Sequence, residues 1–335
     1  LKKLVILYFV LISLFLIYLY SAYSRGATDP MDSAVGLRGE SDEKYVMVNY
    51  LTGNEYWKNC LKGFEDAAEA LGVSVEYRGA TQYDEHEEVT VLEQVIAKKP
   101  AGIVLSAINS EALINVIDKA VSSGIPVVLY DSNVPNSKAY SFLGTNNFEA
   151  GVAAAHKMGE LVGQRGTVVI LTQKNQLNQQ QRVNGFIETL EEQYPQLKVI
   201  EVVEDKGDQV VSESKTGALL LKYPDLQGIF VTEAVGGMGV GNALINNNRT
   251  DIEVISFDTN KGTLDMVKDG VISATMAQGT WNMGYWSLMQ LFHLKNALVE
   301  PVADWQQAQV PPLPTYIDTG ISVVTKSNVE HFYAK

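Results

Sequence analysis

The runs Pro126-Val-Val-Leu-Tyr-Asp131 and Asp251-Ile-Glu-Val-Ile-Ser-Phe-Asp258 decide the fold, because each is a short apolar stretch that runs straight into an aspartate. A third run, Ile272-Ser-Ala-Thr-Met-Ala-Gln278, ends on an amide. Apolar, β-branched runs of this length read as strands buried on both faces, the kind found in parallel sheets covered by helices. In such sheets ligands lie beyond the carboxyl ends of the strands, so Asp131, Asp258 and Gln278 are placed to reach into a cleft.

Working outward, strands and amphipathic segments alternate from residue 44 onward. Strands are expected at Tyr45–Tyr50, Val73–Tyr77, Gly102–Ser106 and Pro126–Tyr130, with helices at Glu55–Leu71, Asp84–Lys98 and Glu111–Ser123 between them. After Tyr140-Ser-Phe-Leu-Gly144 the cycle restarts, with helices at Asn147–Val162, Gln179–Gln193, Val210–Leu221 and Met238–Asn246 separating strands near 167–171, 199–203, 228–232 and 253–257. Two runs of βα units broken near Gly144–Asn147 predict an α/β protein of two similar lobes. Val310-Pro-Pro-Leu-Pro314 is a stiff connector that cannot join a central ladder, and is expected to cross between lobes ahead of a last strand at Thr319–Thr325.

The chain has 335 residues, 46% of them hydrophobic and 19% charged, enough for two cores. A net charge of -13 without clustered Lys or Arg argues against nucleic acid. Leu4–Tyr23 is a 20-residue apolar or weakly polar stretch preceded by Lys2 and Lys3. That length spans a bilayer, and the lysines would hold the N-terminus in the cytoplasm, leaving the folded part outside. The alternative is a long signal peptide cut near Ala22 or Ala27, giving a secreted protein. Residues 1–24 are therefore read as anchor or signal, and 25–43, rich in Gly, Ser, Asp and Glu, as a flexible tether. Cys60 is the single cysteine and reads as a small buried thiol, and His86, His156, His293 and His331 lack metal-ligand spacing.

Several pieces in this order resemble the periplasmic sugar-binding proteins of the ribose-binding type, over roughly residues 44 to 330: Asn54-Glu-Tyr-Trp57, Leu129-Tyr-Asp131, Arg182-Val-Asn-Gly-Phe186, Ser256-Phe-Asp258, Ala274-Thr-Met-Ala-Gln278 and Val323-Val-Thr-Lys-Ser-Asn-Val329. The resemblance implies two Rossmann-like lobes with parallel sheets, joined by a three-crossover hinge and closing on one sugar, here preceded by an N-terminal transmembrane helix. The first lobe is expected to comprise 44–145 and 278–312, the second 146–277 and 313–335. It implies a ligand site of Asn54, Tyr56, Trp57, Asp131 and Ser132 from the first lobe, Gln180, Arg182, Glu233 and Asp258 from the second, and Gln278 at the hinge, with no cofactor and no metal. Carboxylates and amides suit sugar hydroxyls, which both donate and accept, and aromatic rings suit the C–H face of a sugar. Ser132 stands where an arginine often follows the first-lobe aspartate, and Glu233-Ala234 where Asn-Asp is usual. The site thus loses cations and keeps carboxylates, which turns the expectation away from ribose toward another pentose, a hexose, a polyol or an amino sugar.

Three rival readings fit parts of the chain. Gly236-Gly-Met-Gly-Val-Gly241, after a strand and before a helix, mimics a dinucleotide fingerprint, but the third glycine position counted from Gly237 falls on Asn242, and close helix packing is the better use of these glycines. A glycoside hydrolase would need two carboxylates flanking a bond, which Asp131, Glu233 and Asp258 could supply, although a cleft that buries a whole monosaccharide leaves no side open for a leaving group. A sugar-responsive repressor would begin with a basic helix-turn-helix, where this chain has its apolar segment. The expectation is a non-enzymatic, extracytoplasmic monosaccharide-binding protein. Its closed form would be read by a membrane partner, either a sensor histidine kinase or an ABC permease. The apolar segment, with no lipid-attachment cysteine following it, favours the kinase.

Overall fold

The computed structural model describes residues 12–18, 37–174, 176–299, 302 and 305–333. In chain order its strands are β1 (Lys44–Asn49), β2 (Ser74–Gly79), β3 (Gly102–Leu105), β4 (Val127–Tyr130), β5 (Ser141–Gly144), β6 (Arg165–Thr172), β7 (Gln196–Glu204), β8 (Gly228–Val231), β9 (Glu253–Phe257), β10 (Ala274–Gln278), β11 (Tyr316–Asp318) and β12 (Ile321–Val324). They form two six-stranded sheets, ordered β11-β5-β4-β3-β1-β2 and β12-β10-β9-β8-β6-β7. The first is parallel throughout, and the second is parallel except for β12, which runs antiparallel to β10 at the edge. The central strands β3, β4 and β8 are wholly buried, as unbroken apolar runs should be when helices cover both faces.

Three of the helices start where a cap side chain satisfies orphan N–H groups of the first turn. Asp84 accepts from the N–H groups of His86 and Glu87 at 2.8 and 3.0 Å, Asp208 from those of Val210 and Val211, and Asn146 from that of Glu149. Glycine spacing then decides how closely the helices approach. A Cβ on Gly63 would overlap the carbonyl of Trp281, and one on Gly284 the carbonyl of Cys60, so helices Trp57–Leu71 and Thr280–Lys295 touch backbone to backbone. The second lobe repeats the device: Gly151 faces the Arg182 carbonyl and Gly185 the Phe148 carbonyl. Gly239 of the glycine run faces the Gln209 carbonyl in the same way, and Gly237 lies against Ser256, so these glycines serve packing. Cys60 is buried and free at the first of these crossings.

Three crossings join the lobes, at 144–147, 278–280 and 318–321, and they are bonded to one another. The Thr319 N–H donates to the Gly144 carbonyl at 3.0 Å, the Gly279 N–H to the Gly320 carbonyl at 3.3 Å, and the Asn146 N–H to Asp318 Oδ1 at 3.2 Å. The last crossing comes later than the sequence suggested. The proline connector does not leave the first lobe: the Pro314 carbonyl accepts from Ser141 Oγ and the Thr315 carbonyl from the Phe142 N–H, which seats β11 beside β5. Residues 313–318 therefore extend the first sheet, and the chain changes lobe at Thr319–Gly320, where Gly320 has a φ of 84°.

The expected anchor over residues 4–23 and tether over 25–43 fall mostly outside the described residues. Residues 12–18 are helical and exposed, and among the described residues no helix is long and apolar enough to cross a membrane.

Replacing Gly284 or Gly151 by Ala should lower stability by about 1–3 kcal/mol through overpacking. Gly217, in helix Gln209–Lys222 with nothing near its missing Cβ, should gain about 0.8–1.0 kcal/mol on the same change. Urea unfolding of the three variants checks the contrast, and a Gly284→Ala protein as stable as the parent would contradict the backbone contact.

Candidate functional site

The carboxyl ends of both sheets meet across a cavity of about 270 Å³. The first lobe gives it Tyr50, Asn54, Tyr56, Tyr83 and Asp131, the second gives Asn178, Gln179, Arg182, Glu233 and Asp258, and Gln278 enters from the second crossing.

The two aspartates are placed by the same local geometry. Asp131 follows β4 and Asp258 follows β9, both in the left-handed region with φ of 59° and 66°. In each, the N–H donates to a carbonyl of the neighbouring strand, Asp131 to Leu143 at 3.0 Å and Asp258 to Met276 at 2.8 Å. Aspartate tolerates this conformation better than most side chains, and strain of this kind is commonly held at binding sites by the surrounding structure.

Gln278 ties the aspartates together. Its Nε2 donates to Asp258 Oδ1 at 2.8 Å and to the Tyr56 hydroxyl at 3.2 Å, and Tyr56 in turn donates to Asp131 Oδ1. Its Oε1 accepts from Thr145 Oγ1 at 2.8 Å and from Arg182 Nη2 at 3.1 Å. Asp131 also accepts from Ser106 Oγ at 3.1 Å. Arg182 is 2% exposed, with its guanidinium 3.8 Å from the centre of the Phe257 ring. It donates to Asn147 Oδ1 and to the Thr232 carbonyl at 2.9 and 2.7 Å. It therefore braces the second lobe and lines the cavity at once.

Carboxyls outnumber cations here, and burial shows in their titration. Asp131 is pushed above the usual carboxylate range by burial, with Tyr56, Arg182 and Ser106 working against the shift. Asp258 is pushed up to about 7 by burial, opposed by Arg182 and Gln278 and reinforced by Asp131. Glu233 is pushed up to about 8 by burial and by the adjacent carboxyl of Asp205, despite accepting from the N–H groups of Val235 and Gly236 at 2.6 and 2.5 Å. Those two bonds seat the Glu233 carboxyl on the N-terminus of helix Gly236–Asn246, where a nucleotide phosphate would have to lie. The dinucleotide reading fails on that occupancy. Among the described residues no cluster suited to a metal ion occurs.

Seven of the ten residues expected from sequence line this cavity: Asn54, Tyr56, Asp131, Arg182, Glu233, Asp258 and Gln278. Three stand apart from it. Trp57 is 3% exposed and packs edge-on against Tyr50, Tyr56 and Tyr130, behind the wall. Ser132 is buried beside Asp131, outside the lining. Gln180 points out, its Nε2 donating to the Lys174 carbonyl at 2.6 Å. The lining instead takes Asn178 and Gln179 from the same helix start, where each residue turns about 100° further round the axis. Tyr50 and Tyr83 were missed; Tyr50 stands directly after β1, and the strand-end rule that found Asp131 applies to it equally.

Residues 45–297 match the family model of the periplasmic binding protein domain. Among solved structures the chain is similar to AraP, an arabinose binding protein from Geobacillus stearothermophilus, with 58% identity and a TM-score of 0.79 over 88% of this chain and 100% of that one. It is also similar to a sugar-binding protein of a sugar ABC transporter from Bacillus halodurans, with 56% identity and a TM-score of 0.82 over 87% and 100%. The XylFII–LytSN complex contains a more distant match, 26% identical with a TM-score of 0.75 over 85% and 98%.

Glu233 and Asp258 keep protons in the folded state at pH values where the unfolded chain has lost them. Between the ordinary carboxylate value near 4 and the folded values of about 8 and about 7, the folded state binds more protons, so stability falls as pH rises. The unliganded protein should melt higher at about pH 5.5 than at about pH 8.5. Glu233→Gln and Asp258→Asn should each flatten that slope in a thermal melt series, and an unchanged slope in both would remove the assignment.

Proposed function

We propose that this chain, which belongs to the periplasmic binding protein domain family, is an extracytoplasmic receptor that closes its two lobes on a neutral monosaccharide, with a pentose of the arabinose type as the first choice. The observation that carries the reading is the convergence of Asp131 and Asp258, one from each lobe, on a single cavity through Gln278. Sugar hydroxyls donate to carboxylates and accept from amides and guanidinium, so Asp131 and Asp258 would act as charged acceptors, with Asn178, Gln179 and Arg182 as donors. The rings of Tyr50, Tyr56 and Tyr83 offer apolar faces for the ring C–H groups. The identity to AraP supports arabinose as the leading probe.

Because the contacts come from both lobes, a sugar gains its full binding energy only when they are together. Binding then shifts the open–closed equilibrium by that difference, and a membrane partner reads the closed shape. A sensor histidine kinase is the partner we favour. The apolar stretch Leu4–Tyr23, with Lys2 and Lys3 before it and no cysteine after it until Cys60, suits a permanent anchor beside one receptor. The match within the XylFII–LytSN complex supports the same reading. The second reading, delivery to an ABC permease, is favoured by the match to the Bacillus halodurans transporter component.

In a thermal-shift screen, arabinose at a hundredfold excess over its dissociation constant should add about 2.7 kcal/mol. Asp131→Ala and Asp258→Ala should each remove about 1.5–3 kcal/mol, roughly ten- to a hundredfold in calorimetric affinity. Unchanged affinity in both variants would sink the site. Deleting the gene should abolish sugar-induced transcription while leaving uptake intact; lost uptake with transcription retained would transfer the role to a permease.

A further inference from the structure

A second cavity of about 270 Å³, equal in volume to the first, adjoins it and shares Asp131 and Asn178 with it. Its lining is of one chemical kind. Phe142 and Tyr316, paired across β5 and β11, stack with ring centres 5.8 Å apart and 18° between planes, and Tyr316 is 42% exposed. Asn133, Asn147 and Asn178 bring primary amides. Asn147 uses its Oδ1 for the Arg182 Nε–H, and Asn178 its Oδ1 for the Gln179 N–H, both at 2.9 Å. The Nδ2 groups of both, and the whole side-chain amide of Asn133, have no hydrogen-bond partner among the described residues. Asp131 is the sole charged side chain of this lining.

These features select a ligand. Unspent amide donors and acceptors around an aromatic wall match a hydroxyl-rich ring with an apolar C–H face. The lack of cations excludes a phosphorylated or carboxylated ligand, which would need charge pairing on desolvation. Equal volumes mean that if the first cavity holds one sugar ring, the second has room for another. The shared Asp131 and Asn178 place the two rings next to each other.

We propose that this cavity is a second saccharide subsite, and that the cleft takes a neutral disaccharide with one ring in each cavity; this rests on the sugar-binding reading above. The first-cavity residues would set which terminal sugar is accepted, while Phe142, Tyr316 and Asn133 would add affinity only for a ligand with a second ring.

The test is titration calorimetry on the full-length protein in detergent, with arabinose, xylose, 1,5-linked arabinobiose and xylobiose as probes. One disaccharide should bind with one-to-one stoichiometry, at least as tightly as its monosaccharide. Tyr316→Ala and Asn133→Ala should each weaken that disaccharide about three- to tenfold, and leave monosaccharide affinity within about twofold. The proposal is overturned if monosaccharides bind and neither disaccharide does, or if both variants weaken the two ligand classes alike, or if disaccharide affinity ignores both variants. Disaccharide binding without monosaccharide binding would uphold the subsite and reject the monosaccharide reading, and absence of all binding would reject both.

Discussion

A single amide holds the cleft together. Gln278 ends β10 at a crossing between lobes, and its side chain reaches a first-lobe tyrosine, a second-lobe aspartate, a second-lobe arginine and the threonine of another crossing. No charged side chain could replace it, because it donates toward Asp258 and Tyr56 while accepting from Arg182 and Thr145. An aspartate or glutamate there could not donate while ionised, and a lysine could not accept. The bonds to ionised partners are the stronger class, so the relative placement of Asp131 and Asp258 is set by the hinge itself.

That coupling explains how the cleft tolerates its charge. Three buried carboxyls, of Asp131, Glu233 and Asp258, face one buried guanidinium, while Lys206 and Asp208 line the same space from exposed positions. Arg182 opposes the upward shift of both Asp131 and Asp258, whereas Glu233 is relieved by the N–H groups of the helix terminus and burdened, besides burial, chiefly by Asp205. Glu233 and Asp205 therefore behave as an acid pair that resists full ionisation, while Arg182 favours the ionised form of both aspartates against their burial. Desolvated acceptors left short of donors are costly in the empty cleft, and a ligand's hydroxyls relieve that cost on arrival. Affinity and strain thus have one source.

The sequence made the strand ends legible and left the helix faces obscure. An apolar run followed by a polar residue marks both a strand and its carboxyl end, so Asp131, Asp258 and Gln278 could be placed without a structure. At the start of helix Leu177–Gln193 a shift of one residue rotates a side chain from cavity to solvent, which is why Gln180 was expected where Gln179 lies. Trp57 fails for a related reason: its ring lies on the buried face of its helix, one position past Tyr56, which lines the cavity. Helix Thr280–Lys295 gave little signal, because the exposed Trp281 and Trp286 are interleaved around the axis with the buried Met283, Leu288 and Leu291 and blur the apolar stripe. The seating of β11 could not be read at all, since three residues after a proline-rich connector carry no pattern that names their neighbour.

The lobes share one plan, and their differences show where the ligand site gains its character. Both place an aspartate in the left-handed region after a strand, hold it by one N–H bond to the adjacent strand, and press two helices together through glycines. The plan breaks at the edge strands: β11 runs parallel to β5, whereas β12 runs antiparallel to β10. A chain that leaves the first sheet at Asp318 and reaches the second within a few residues enters the latter from its carboxyl edge, so it can only run backward along β10. This short reversal brings Thr319 and Gly320 against Gly144 and Gly279, packing the three crossings side by side. Crossings bonded in this way restrict how the lobes can move relative to each other, and a hinge so restricted can turn the binding of a small ligand into a defined change of shape.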